Sequence, residues 1–243
     1  MASRFLTSLP VFKEVSHVDD VLDQVARFAP DILVVDDGST DGTADRLANR
    51  DGLHIVTHSQ NIGYGAALRS AFQFACDGNY DVVITIDCDG QHEPQRIPEF
   101  AAACRQPGVD IVSGSRYLQS FSAADAPPAD RREINIRLTE QINRRLGLNI
   151  TDAFCGFKAY RTSQLSQLKT VDSGYAMPLE LWVRAAAAGL NMIELPVPLI
   201  YLEEQRSFGG ELDDSQTRLL HYHDVLERSL ELVAKDRCDS AAP

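Results

Sequence analysis

The chain holds no apolar run of the roughly 18–20 residues that a membrane-spanning helix requires, so the sequence offers no transmembrane segment. Its opening residues, MASRFLTSL, lack the longer apolar stretch and small-residue cleavage site of a secretory leader. Cysteine is scarce: Cys76, Cys88, Cys104, Cys155 and Cys238 are odd in number and show no CxxC spacing. That excludes the usual disulfide framework and thiolate zinc patterns, and the thiols read as reduced side chains of a cytoplasmic protein. Basic residues are outnumbered, with 23 Lys and Arg against 35 Asp and Glu, for a net charge of −12. Such a balance argues against a general nucleic-acid binder and against anchoring to anionic lipid by bulk charge. No internal repeat and no separate linker stands out. What remains is ordinary globular composition, 44% hydrophobic and 24% charged over 243 residues, enough to bury a core without disulfide or metal staples.

The first half alternates short β-branched runs with helical patterns. Strands are expected at 5–9, 32–35, 53–57, 82–86 and 110–113, with helices over 18–28, 43–49, 65–76 and 94–104. Runs that are apolar throughout mean strands buried on both faces, and the alternation means an α/β fold with a mostly parallel sheet flanked by helices. After Tyr117 the pattern loosens. Residues 120–130 read as a loop, 133–146 and 178–188 as helices, and 154–160 as a strand. Two prolines place 193–199 at a sheet edge, and 219–233 reads as a final helix. The expected organisation is one domain over 1–243: a first half (5–117), a second half (118–210), and a C-terminal helix and tail (211–243).

Two carboxylate strings sit where ligands bind in such sheets, at strand carboxyl ends. VVDDGSTDGT (34–43) ends a buried strand in two acids and turns into a helix. Its acids can accept hydrogen bonds from a base or ribose, or can simply serve the turn and helix cap. ITIDCDGQH (84–92) carries two acids at i and i+2, a DxD arrangement. Hard divalent cations take oxygen ligands of this kind and share them with substrate phosphates; the competing reading is an acidic surface turn. His221 and His223, at i and i+2 on a helix, point to different faces and do not make a metal pair.

Together with LPVFKE (9–14), NIGYGAA (61–67), GSRY (114–117), GFKAYR (156–161) and GYA (174–176) followed by Glu180, these strings resemble family 2 glycosyltransferases of the GT-A fold. Among them, the dolichyl- or polyprenyl-phosphate mannose and glucose synthases are the most similar, over residues 5 to about 210. The resemblance implies that Pro10, Phe12 and Glu14 line the nucleotide pocket, with Asp37 on the base or ribose and Asp36 beside it. Asn61, Gly63 and Gly65 would close over the nucleotide at a helix start offering free N–H groups. Asp87 would contact the nucleotide-sugar and share Mg²⁺ or Mn²⁺ with Asp89, and Gln91 would lie near the sugar or diphosphate. Lys13 departs from the family, which usually has Asn there.

On the acceptor side the resemblance places Arg116 near the phosphates and implies a flexible Gly-rich clamp at Arg206. Arg131, Arg132, Arg137, Arg144 and Arg145 follow Arg116 within thirty residues. Arginine forks suit phosphate, so Arg131 and Arg132 are candidates for an acceptor phosphate; a solvated basic helix face is the plain alternative. Many inverting members use an acid in this half as general base, and Glu180 and Asp152 are the two candidates, with no ground to choose between them.

The function implied is inverting, metal-dependent transfer of a sugar from GDP-mannose or UDP-glucose to an acceptor. A polyprenyl phosphate is the first acceptor reading, and a soluble saccharide or small molecule the second. A non-catalytic nucleotide-sugar-binding protein is the rival of another class. A sugar-phosphate nucleotidyltransferase would need a Gly-rich basic loop where LPVFKE stands. The expected setting is cytoplasmic, with peripheral contact at the inner membrane face, and the final helix packs on the core or on a second copy.

Overall fold

The computed structural model describes residues 4–119, 121, 129–200 and 210–241. Its centre is a seven-stranded sheet. The strands are β1 (Phe5–Val11), β2 (Ile32–Asp36), β3 (Leu53–Thr57), β4 (Val82–Thr85), β5 (Ile111–Ser115), β6 (Lys158–Arg161) and β7 (Met192–Pro196). They lie in the order β3-β2-β1-β4-β6-β5-β7. β1 pairs in parallel with β2 and β4, and β5 with β7, while β6 runs antiparallel between β4 and β5. The carboxyl ends of β1, β2, β4 and β5 therefore share one edge of the sheet.

The doubly buried strands appear as the apolar runs predict, with alternate residues feeding opposite layers. Ile32 and Val34 join one core with Val82 and Ile84, while Leu33 and Val35 join another with Val83. The first core is covered by α1 (Val18–Val25), α2 (Thr43–Ala48) and α4 (Ile97–Cys104). The second lies under α3 (Tyr64–Asp77), whose Ala67, Leu68, Ala71, Phe72 and Ala75 recur at helical spacing. A third core forms around Trp182 where α5 (Ala129–Leu146), α6 (Met177–Ala187) and α7 (Ser215–Ala241) meet. The last helix is longer than its apolar pattern predicts and buries Val225, Leu226 and Val233 in that core. No helix among the described residues is long and apolar enough to cross a membrane.

β7 is an edge strand, as the prolines of 193–199 predict; Pro196 sits at its end opposite Ser115, and Pro198 lies beyond it. One expected strand is shortened: β6 starts at Lys158 rather than at residue 154. The reason lies at Gly156, whose α-carbon faces the Asp87 carboxylate so closely that an added Cβ would overlap it. The 154–157 segment is thus shaped by the site and not by ladder pairing.

Chain order reverses across β1, since β2 and β3 lie on one side and β4 on the other. That reversal opens a crevice at the carboxyl ends of the strands.

Candidate active site

A cleft of about 970 Å³ occupies this crevice. It brings together Pro10 from the end of β1 with Phe12, Glu14, Asp37, Asn61 and Gly63 from the turns after β1, β2 and β3. Asp87, Asp89, Gln91 and Arg116 arrive from the turns after β4 and β5, and Arg131 from α5. Residues separated by more than a hundred positions in the chain therefore meet because their strands share a carboxyl edge.

Asp37 is almost fully buried, and its oxygens are heavily used. Oδ1 accepts from His58 Nδ1 at 2.6 Å and from the Ile62 N–H at 3.0 Å, while Oδ2 accepts from the Gly63 N–H at 2.7 Å. Around the start of α3, Asp37 thus takes the Ile62 and Gly63 N–H groups from another turn, and the Ser173 carbonyl takes the Gly65 N–H at 2.8 Å. The expectation for Gly65 is corrected. It is a packing glycine, buried where an added Cβ would overlap the Asp172 carbonyl and crowd Met177. Asp36 lies beneath the cleft and accepts from the Ser39 N–H at 3.0 Å, so it shapes the turn without lining the site.

Lys13 adopts φ 59°, a left-handed conformation that costs a long side chain roughly 1–2 kcal/mol and that Asn tolerates better. The family's usual Asn thus has a backbone reason. Lys13→Asn is expected to raise stability by about 1 kcal/mol, read as an upward shift of the urea midpoint at unchanged slope.

The DxD turn is held from three sides. Tyr64 donates its hydroxyl to Asp87 Oδ1 at 3.2 Å, and His92 Nε2 lies 3.3 Å from Oδ2. Burial pushes the Asp87 carboxyl up, but His92, the Tyr64 hydroxyl and the Lys158 charge outweigh it and hold the group below its ordinary range. Asp89 accepts from the Gln91 N–H at 2.9 Å. Two carboxylates with oxygen donors alone fit a hard divalent cation that completes its sphere with diphosphate and water. Among the described residues no cluster of three His, Cys, Asp or Glu side chains could hold a metal by itself. Gly156→Ala tests this geometry. Its Cβ would force the Asp87 carboxylate to rotate away, which is mild for the fold and severe for the site. Turnover is expected to fall about 10–100-fold with little change in melting temperature, comparable to losing an outer-shell contact.

Arg116 makes a fork with Asp152: Nε to Oδ2 at 2.6 Å and Nη2 to Oδ1 at 2.9 Å. Asn135 and the Phe154 N–H also donate to Asp152, which has no exposure. Burial would raise this carboxyl, but the Arg116 charge and hydrogen bonds, with Asn135, hold it well below the usual carboxylate range. Glu194 of β7 in turn accepts from the Thr151 and Asp152 N–H groups and fixes the turn. Asp152 therefore orients Arg116 and is no general base.

Glu180 is corrected likewise. It is buried, stands outside the cleft, and spends its oxygens on the Val171 and Asp172 N–H groups and on Arg184. It anchors the 171–174 turn against which Gly63 and Gly65 pack.

The arginine run divides. Arg137 pairs with Glu133 and Arg145 with Glu227 on the surface, and Arg132 is exposed outside the cleft lining. Arg206 lies outside the described residues, as does most of the 120–130 loop.

Several cleft residues carry no clear sequence signal. Tyr64 sits inside a glycine motif and stacks on Tyr175 at 5.9 Å between centroids; its only mark in the sequence is being the aromatic of that string. Arg218 is a buried cation on α7 that pairs with Asp130 at 2.9 Å. Phe154 and Tyr222 stack at 5.1 Å to form an aromatic wall. Only folding brings these last three to the cleft.

The family match makes this chain a glycosyltransferase. The glycosyl transferase family 2 profile matches residues 9–168, and the chain belongs to that family. It is 31% identical to the undecaprenyl-phosphate mannosyltransferase of Micrococcus luteus, over 85% of this chain and 88% of that protein. It is 33% identical to the polyprenol monophosphomannose synthase of Mycolicibacterium smegmatis, over 80% and 76%. In fold it resembles the crystal structure of glucosyl-3-phosphoglycerate synthase from Mycobacterium tuberculosis, with a TM-score of 0.73 at 18% identity over 94% of this chain and 81% of that one. That synthase has also been solved with Mn²⁺, UDP and its glucosyl product.

Proposed function

We propose that this glycosyltransferase moves a hexose, with inversion, from a nucleotide-diphosphate sugar to the phosphate of a polyprenyl phosphate. One observation carries the acceptor assignment. The carboxylates lining the cleft among the described residues are Glu14, Asp37, Asp87 and Asp89, all from the turns after β1, β2 and β4. From residue 129 onward the described lining offers Arg131 and an aromatic wall (Phe154, Tyr222), with Arg218 buried against Asp130 and Asp152 and Glu180 buried in structural duties. A sugar hydroxyl needs a base to lose its proton as it attacks. A phosphate monoester is already ionised and needs none. An anionic head beside an aromatic wall also fits an amphiphile. The names of the Micrococcus and Mycolicibacterium relatives support the same reading.

In this account Pro10, Phe12, Glu14, Asp37, Asn61 and Gly63 hold the nucleotide. Asp87 and Asp89 would hold a divalent cation, which would supply positive charge against that developing on the diphosphate. Arg116, fixed by Asp152, faces the phosphates, and Arg131 draws the acceptor phosphate to the opposite face of the sugar for in-line attack.

The donor half is tested by calorimetric titration with GDP, UDP, GDP-mannose and UDP-glucose in Mn²⁺. Saturable binding of one base with its sugar is expected, and no binding by any of the four would contradict the proposal.

A further inference from the structure

Asp37 belongs to a hydrogen-bond chain that runs away from the cleft. A carboxylate can only accept, so His58 Nδ1, 2.6 Å from Asp37 Oδ1, is the donor. The far nitrogen, Nε2, lies 2.9 Å from Ser70 Oγ on α3. The His58 N–H also donates to the Asp36 carbonyl at 2.9 Å, which ties the end of β3 to the end of β2. His58 does not line the cleft, and its side chain is only 12% exposed. The rim above it has little freedom of its own. Gly63 has φ 104°, and Gly38 approaches the Gln60 and Asn61 backbone so closely that a Cβ would overlap it. What orients that rim toward the cleft is the pair of N–H bonds to Asp37.

We infer that His58 is a positioning residue for the nucleotide: by linking Ser70 on α3 to the Asp37 carboxylate that holds the Ile62 and Gly63 N–H groups, it sets the 61–63 rim that closes over the donor. Serine, histidine and aspartate in a line resemble a nucleophilic triad. Here the histidine faces a helix side chain outside the cleft lining, so the chain transmits position and not a proton. The inference rests on the nucleotide-sugar reading given above.

The imidazole acts on ground-state and transition-state binding alike, because the chemistry occurs at Asp87 and Asp89 on another turn. Uniform binding of this kind appears in KM and not in kcat. His58→Ala is expected to weaken nucleotide binding, and raise donor KM, on the order of 10-fold with kcat within about 2-fold. His58→Asn keeps an amide N–H at the Nδ1 position and should restore binding to within about 3-fold of the parent. In an Asp37→Ala background, which removes the oxygen that His58 donates to, the His58→Ala change should add almost nothing, because the two residues act through one contact.

The experiment titrates the parent protein, H58A and H58N with UDP and with GDP in Mn²⁺, alongside thermal melts of each. Weakened binding in H58A with recovery in H58N supports the inference. If the parent binds one nucleotide and H58A binds it within about 2-fold, His58 is merely structural and the inference is overturned while the donor reading stands. If the parent binds neither nucleotide, the donor reading itself has failed. Should H58A not fold, H58Q carries the same expectation, since its amide reaches the Nε2 position and leaves Asp37 Oδ1 without its side-chain donor.

Discussion

Asp89→Ala is expected to lower sugar transfer by about 10³-fold or more while leaving the fold intact, because removing an electrostatic partner of the leaving group acts directly on the barrier. Asp89 lines the cleft, and its bond to the Gln91 N–H is a local one within the same turn. Melting temperature should therefore move little. The diagnostic result is a loss that excess Mn²⁺ does not repair. Activity unchanged within a few-fold would remove Asp89 from the site. The contrast with Gly156→Ala is informative, since that change disturbs only the neighbouring Asp87 and should leave part of the rate.

Arg116→Ala should have the largest effect on stability, about 3–5 kcal/mol, the cost of stranding a buried charge. Arg116 is 24% exposed at its side chain, whereas Asp152 has no exposure. Losing the arginine side chain therefore leaves a buried carboxylate with the residue 116 backbone N–H, Asn135 and the Phe154 N–H as donors but without its countercharge. The reverse change, Asp152→Asn, should cost less, because Arg116 can turn into the open cleft and rehydrate. The pH dependence has a definite sign. In the parent the folded-state pKa of Asp152 is depressed, so its contribution is present above about pH 4 and is lost as pH falls through that window. In Arg116→Ala the opposing charge is gone and burial raises the carboxyl, so acid relieves the strain. The gap between variant and parent should narrow as pH falls from 7 toward 4, measured by urea denaturation at each pH. A gap that widens on acidification would show that Asp152 is not held ionised by Arg116.

Arg116 and Asp152 also mark the boundary of what the sequence makes legible. The strands at 32–36 and 82–85 announce themselves by unbroken β-branched runs, and the acids that follow them mark the ligand edge through the parallel topology alone. Asp37, Asp87, Asp89 and Arg116 all reach the cleft from such places. Glu180 and Asp152 mislead for a physical reason. A carboxylate in a catalytic half looks the same in a sequence whether it faces substrate or fastens a turn, and only the donors around it decide. The Val171 and Asp172 N–H groups claim one, and Arg116, Asn135 and the Phe154 N–H claim the other. Gly65 reads in the sequence as an opening for a ligand and proves to be an opening for backbone. Arg218 and the Phe154–Tyr222 wall are invisible in the sequence because residues 64 or more positions apart meet only through the packing of α5, α6 and α7, and nothing local marks them. The arginine run predicts a single patch, yet helical spacing turns Arg137 and Arg145 toward surface acids and leaves Arg131 at the cleft.

The most direct test of the account is a transfer assay with radiolabelled GDP-mannose and UDP-glucose, Mn²⁺, and two acceptors in parallel: polyprenyl phosphate in detergent and the corresponding unphosphorylated polyprenol. The account predicts label in the organic phase with the phosphate acceptor from one of the two donors, and none with the alcohol, because the described acceptor side offers Arg131 and no free base. Equal labelling of the alcohol, or donor consumption with no transfer to the phosphate, would contradict it.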